Sequence, residues 1–286
     1  VQAGIGGVDI SASGKVQVQS VSSAGDVAVA SNASSVTVHK DKQVYSAGKV
    51  DVNAANQIDV LEGAQVIAKQ NVAIKAGSVA NNSGSIVSGV NEDGGLNNAG
   101  HVAISANTGI ANTATASIVS TNEMAFNSPD IHNHKGSSVT SFGAMEIQGD
   151  LIRNDGAIDA LANASINSKD VYNTGRITSA QSLAIQSQER INNTGQLAAA
   201  NDIALDSKAV INQGGEISAE NVKVTGNSLA NNAGRLVAIS NLYLNSNKTT
   251  NAGDVGNKES ALMMAGASIS VDSTEFNNDN FLIIDK

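Results

Sequence analysis

The residues of this chain whose types and spacing could do chemistry are few. His132-Asn133-His134 sets two imidazoles two positions apart, which on an extended strand puts both rings on one face. Such a pair can touch a transition metal, but a metal centre takes three or four ligands. There is no cysteine, and the only other histidines are His39 and His101. A surface or structural role for the pair is therefore the stronger reading, and no metal or other cofactor is expected. Asn91-Glu92-Asp93 gathers two carboxylates in a Gly-rich stretch, and Asp202 and Asp206 lie four apart. Glycosidic bond cleavage needs two carboxyl groups about 5–9.5 Å apart across a substrate, and scattered surface carboxylates do not supply that. No nucleophile elbow, phosphate-binding loop or Gly-Gly-x-Gly-x-Asp calcium repeat occurs. No catalytic residue is assigned. The binding candidates are Asn91, Glu92 and Asp93 in one loop and an outward-facing His132 and His134.

What positions these residues is a repeat. The frame Asn-x-Gly-x-(Ile/Leu/Val) occurs as Asn154-Asp-Gly156-Ala-Ile158, Asn173-Thr-Gly175-Arg-Ile177 and Asn193-Thr-Gly195-Gln-Leu197. It continues as Gln213-Gly-Gly215-Glu-Ile217, Asn232-Ala-Gly234-Arg-Leu236 and Asn251-Ala-Gly253-Asp-Val255. Successive glycines at 156, 175, 195, 215, 234 and 253 are 19, 20, 20, 19 and 19 residues apart. Each period carries three strand signals. One follows the glycine; the second is an alternating pair (Ala164/Ile166, Leu183/Ile185, Ile203/Leu205, Val222/Val224, Leu242/Leu244). The third is Val171, Ile191 and Ile211, with Leu229 one position out of step. Alternation means one buried and one solvated face per strand, and no segment sustains the i, i+3, i+4, i+7 spacing of a helix. Asn133 follows Ile131 as Asn173 follows Val171, which is why the flanking histidines are expected to face outward.

The N-terminal half repeats more loosely. Val16/Val18, Val36/Val38 and Ile58/Val60 form one series, and Val27/Val29, Val50/Val52, Val72/Ile74 and Val102/Ile104 another. Starts at 27, 50, 72 and 102 give steps of 23, 22 and 30. The long step coincides with Ser88–Asn97, read as an inserted surface loop of about eight residues. A second irregularity is expected over 109–140, where the pairs thin out. The chain reads as one continuous array: 1–149 irregular, 150–256 regular and 257–286 terminal coils.

Three short strands per period describe one coil of a solenoid, each strand pairing in parallel with its equivalent one coil on. The expected fold is all-β, a right-handed parallel β-helix of about 12–14 coils of 19–23 residues, the hand following the general preference for right-handed crossovers. Composition agrees. Aromatics are 2% while the apolar fraction is 41%, which suits a thin aliphatic core repeated many times. The turn asparagines (Asn154, Asn173, Asn193, Asn232, Asn251) tolerate left-handed backbone and can stack into an amide ladder beside Gly156, Gly175, Gly195, Gly215, Gly234 and Gly253. A net charge of −9 argues against nucleic acid, and no apolar run reaches the ~18 residues that insert into a membrane. The chain starts in mid-pattern without a signal peptide, as a segment of something longer would.

The Asn-x-Gly-x-Ile/Leu frame, with an Ala-rich stretch and a Leu-x-Ile or Ile-x-Leu pair, resembles the haemagglutinin repeats of filamentous haemagglutinin-type exoproteins. The closest stretch is Ile191-Asn-Asn-Thr-Gly-Gln-Leu-Ala-Ala-Ala-Asn-Asp-Ile-Ala-Leu-Asp206. The resemblance covers about residues 150–256 firmly and the preceding half loosely. It implies a secreted, non-enzymatic β-helical shaft on the bacterial surface. Export would be by two-partner secretion through an outer-membrane transporter, and the shaft would belong to an adhesin or a contact-dependent growth-inhibition effector. Partners would be that transporter and a receptor on a target bacterium or host cell. The Asn-Pro-Asn motifs of the family's secretion domain are absent, since the one proline, Pro129, follows Ser128. The rival readings are a β-helical polysaccharide lyase or hydrolase and an autotransporter passenger.

Overall fold

The computed structural model describes residues 2–4, 6–253 and 260–279. Val255, which closes the sixth copy of the frame, and parts of the 257–286 stretch lie outside the described residues. The fold is all-β, with parallel strands stacked as a β-solenoid of about 12 turns. It divides into two compact units, Val1–Gly149 with Gly156–Ile158, and Asp150–Asp155 with Asp159–Lys286.

In the first unit the alternating pairs stack rung on rung. Val21, Val44, Val66, Ile86, Ile118 and Val139 align along one face. Val27, Val50, Val72, Val102, Met124 and Met145 align along a second. Val16, Val36, Ile58, Val79, Ile110 and Ile131 align along the third. Nearly all are buried. A parallel ladder repeats every ~4.8 Å, so in-register β-branched side chains touch their equivalents above and below and exclude water without any large side chain.

The expected irregularity over 109–140 is not there. Ile110–Asn112 pairs with Ile131–Asn133 and Ser117–Ser120 with Ser138–Ser141, both unbroken. The pattern looked thin because Met124 and Phe126 occupy positions held elsewhere by Val and Ile, and both are buried. The insertion is real and larger than expected. From Ala68 to Val72 the chain takes four steps, whereas the equivalent passage from Ser88 to Val102 takes fourteen, ten more.

In the second unit the second and third strand signals run together as bent strands such as Leu183–Asn193 and Asp202–Gln213. The coil at 183–193 holds one extra residue at the bend, between Ser187 and Arg190. That residue misleads a count along the chain. Ile191 pairs with Val210, not Ile211, and Val210 pairs with Leu229. Leu229 is therefore in step, Val210 is fully buried and Ile211 faces outward.

At the bends, where the chain turns inward and a large side chain would not fit, small residues are buried. Ser46, Ser88, Ser120 and Ser141 occupy one corner of the first unit, and Ser168, Ser187 and Ser207 a corner of the second. Most of their hydroxyls donate to backbone carbonyls, as Ser46 Oγ does to Gly25 O at 2.7 Å and Ser187 Oγ to Lys169 O at 2.7 Å, while Ser88 Oγ donates to Ser120 Oγ and Ser207 Oγ meets no partner.

Candidate functional site

The turn asparagines form the most regular polar feature. In the second unit the Nδ2 of Asn154 donates to Asn173 Oδ1, Asn173 to Asn193, Asn193 to Asn212 and Asn212 to Asn231, each at 2.8 Å. Asn231 donates to Asn251 at 2.7 Å and Asn251 to Asn278 at 3.2 Å. The second N–H of the amides from Asn154 to Asn231 goes to a backbone carbonyl beside the turn, as from Asn173 to Gln196 O at 3.0 Å. These amides from Asn154 to Asn251 are at most 1% exposed, and along the run each Nδ2 donates to the next coil while each Oδ1 from Asn173 on accepts from the coil before. A second run lies in the first unit, from Asn81 to Asn112 and Asn112 to Asn133, both at 2.9 Å.

Asn232 is not a rung. It pairs with Gln213 and Ala252 and is partly exposed, while Asn212 and Asn231 take the inward places. The cause is one added turn residue: Gly214 (φ 67°) and Ala233 (φ 50°) sit in left-handed backbone before Gly215 and Gly234. Gly156, Gly175 and Gly195 lie in the shorter turn, where Gly175 N and Gly195 N donate to Asn154 O and Asn173 O. Gly253 N donates to Asp279 O at 3.3 Å. Counting from the turn glycine missed Asn81, Asn112, Asn212 and Asn231. Counting two residues on from the buried apolar residue of the third strand (Val79, Ile110, Val210, Leu229) finds all four.

The inserted segment folds as a small hairpin between Ser88 and His101. Val90 bridges Leu96 antiparallel, Asn91 N donates to Gly95 O and Asn97 N to Gly89 O, each at 2.8 Å. Asn97 Nδ2 ties the hairpin back to Lys69 O and across to Asn91 Oδ1, both at 3.0 Å. Glu92 and Asp93 are exposed at its tip. The hairpin leans over the preceding coils, so that Glu92 walls a groove of about 320 Å³ lined by Gln2, Gly4, Ser22, Ala24, Tyr45 and Ala47 among others. The Tyr45 hydroxyl is buried there and meets no hydrogen-bond partner. Burial, then the nearby charges of Glu92 and Asp93, push its pKa above the usual phenol value. The phenol therefore stays protonated through the physiological range.

His132 and His134 flank the buried Asn133 and face outward, their rings stacked with centroids 3.5 Å apart and planes 24° from parallel. Among the described residues no three His, Asp or Glu converge as metal ligands would. The structure does not bring the histidines and the 91–93 tip together in any contact it records. Asp202 is engaged by Ser182 Oγ at 3.4 Å and Asn221 Nδ2 at 3.0 Å, part of an outer polar row and not a facing carboxylate pair.

The haemagglutinin repeat model matches residues 2–41, 45–187 and 161–259. No curated protein and no solved structure matches the chain. The matched stretches span the stacked coils of both units, and the chain belongs to the haemagglutinin repeat family.

Proposed function

We propose that this chain is a shaft segment of a large secreted exoprotein, holding an adhesive or toxin-bearing module away from a bacterial surface. Export would be by two-partner secretion, with an outer-membrane transporter as the export partner and a receptor on a target bacterium or host cell as the distal one. The observation that carries the reading is the haemagglutinin repeat itself, laid over coils whose most regular polar device is an inward amide ladder. Each coil contacts its neighbours alone, so length can be added without redesign. Nothing in that arrangement is directed at a substrate.

The test is to duplicate one coil, residues 176–195, within the parent exoprotein and measure surface display, reach and delivery or adhesion. A spacer tolerates the insertion and extends by one rung, ~4.8 Å. Loss of adhesion or delivery with display intact would place the function in this segment itself. Turnover of a polysaccharide by the purified chain would overturn the non-enzymatic reading.

A further inference from the structure

The groove beneath the 89–100 hairpin is more than the joint between an insertion and its coil. Gln2, Ser22 and Tyr45 are successive rungs of one outward row, so these residues recur at ~4.8 Å along the coil stack. Small residues, Gly4, Ala24 and Ala47, also line it, leaving space that larger side chains would fill. Tyr45 supplies a half-buried ring, its hydroxyl enclosed, and Glu92 supplies a carboxylate acceptor. About 320 Å³ lies at the lower end of ligand-binding clefts.

We propose that this groove binds an uncharged glycan lying along the stack, one sugar against the Tyr45 ring and the next toward Ser22 and Gln2. The chemistry selects that class on three grounds. A row of neutral groups that both donate and accept matches hydroxyls, which do the same. The ring face matches the apolar face of a sugar, and the carboxylate accepts from hydroxyls without needing a cation. The rung spacing matches a polymer that repeats about once per coil. Glu92 and Asp93 place negative charge at the mouth, which disfavours sialylated, uronic or sulfated glycans. The proposal goes beyond the shaft reading and does not depend on it, since a spacer can carry or lack a lateral glycan contact.

Isothermal titration of the intact chain with chitotriose, maltotriose and lactose, and with 3′-sialyllactose, a heparin-derived tetrasaccharide and tri-lysine, tests this. At least one uncharged probe should bind saturably below about 10 mM, and tighter than the charged probes. Tyr45→Ala should weaken it about tenfold, while Tyr45→Phe, which keeps the ring and the fold, should retain it. Leu96→Ser, on the exposed outer side of the hairpin (Leu96 56% exposed), should leave it unchanged. Glu92→Gln should raise the affinity for 3′-sialyllactose. Failure of every uncharged probe to bind would overturn the proposal. So would affinity untouched by Tyr45→Ala, or preferential binding of tri-lysine or the anionic glycans. The coil-duplication test reads the shaft separately, so a failure here leaves that reading standing.

Discussion

Each unanswered hydrogen-bonding group of a buried amide costs stability, and in this ladder the answers come from the coils on either side. Replacing Asn193 by Ala removes the acceptor of Asn173 Nδ2 and the donor to Asn212 Oδ1 at once. Leaving two buried groups unpaired should cost about 2–4 kcal/mol in urea denaturation. Asn232→Ala, one position from a rung but facing outward, should change stability by less than about 0.5 kcal/mol. Equal effects of the two would refute the ladder as a stabilising element. The ladder's first rung in the first unit is a different case. Asn81 Oδ1 is buried with no partner because the coil before it offers Val60, itself fully buried. Val60→Thr is nearly isosteric and places a hydroxyl beside that oxygen. It should be neutral or stabilise by up to about 1 kcal/mol. The same change at Val38, whose rung neighbours are Val18 and Val60, should destabilise by about 1–3 kcal/mol. Destabilisation of similar size at both positions would refute the idea.

At the scale of the strand and turn, register is set by which side chains can touch across ~4.8 Å, and turns absorb what is left over. Gly195 shows how little room a short turn has. A methyl group there would run into the carbonyl of Gly175 in the coil before, so Gly195→Ala should cost more than about 2 kcal/mol. Gly214 lies in open space, and Gly214→Ala should lose only the strain of its φ of 67°, about 1 kcal/mol. Thermal unfolding of the two variants measures the difference. The same distinction explains what could be read from sequence. The faces were legible because each buries a Val, Ile or Leu at most coils, as with Ile166, Ile185 and Leu205. The ladder was only half legible because the frame was anchored on the turn glycine, while turns take an extra residue at Gly214 and Ala233. Asn112, followed by Thr-Ala-Thr-Ala, has no glycine to mark it at all. The hairpin was visible as a long step. Its lean toward Tyr45 was not, because that contact depends on where two separate coils put their corners.

For the molecule as a whole, stability is a sum over coil interfaces, with no single long-range contact on which the fold depends. The sum makes a sharp demand on deletions in the second unit. Excising residues 176–195 joins Gly175 to Gln196 and preserves every rung: Ile166 would meet Leu205, Val171 would meet Val210, and the Asn173 amide would reach Asn212. That variant should keep its β-sheet circular dichroism and lose only a few degrees in Tm, having surrendered one interface among many. Excising 186–195, half as many residues, removes one bend and one rung of the ladder but leaves the strand before it, so inward and outward positions no longer correspond from that point on. It should lose the cooperative transition of the second unit, because a slip in register sends buried residues outward along with it. If the smaller deletion proved the better tolerated, the coil would not be the unit of stability, and the additive picture on which a shaft of adjustable length rests would fail with it.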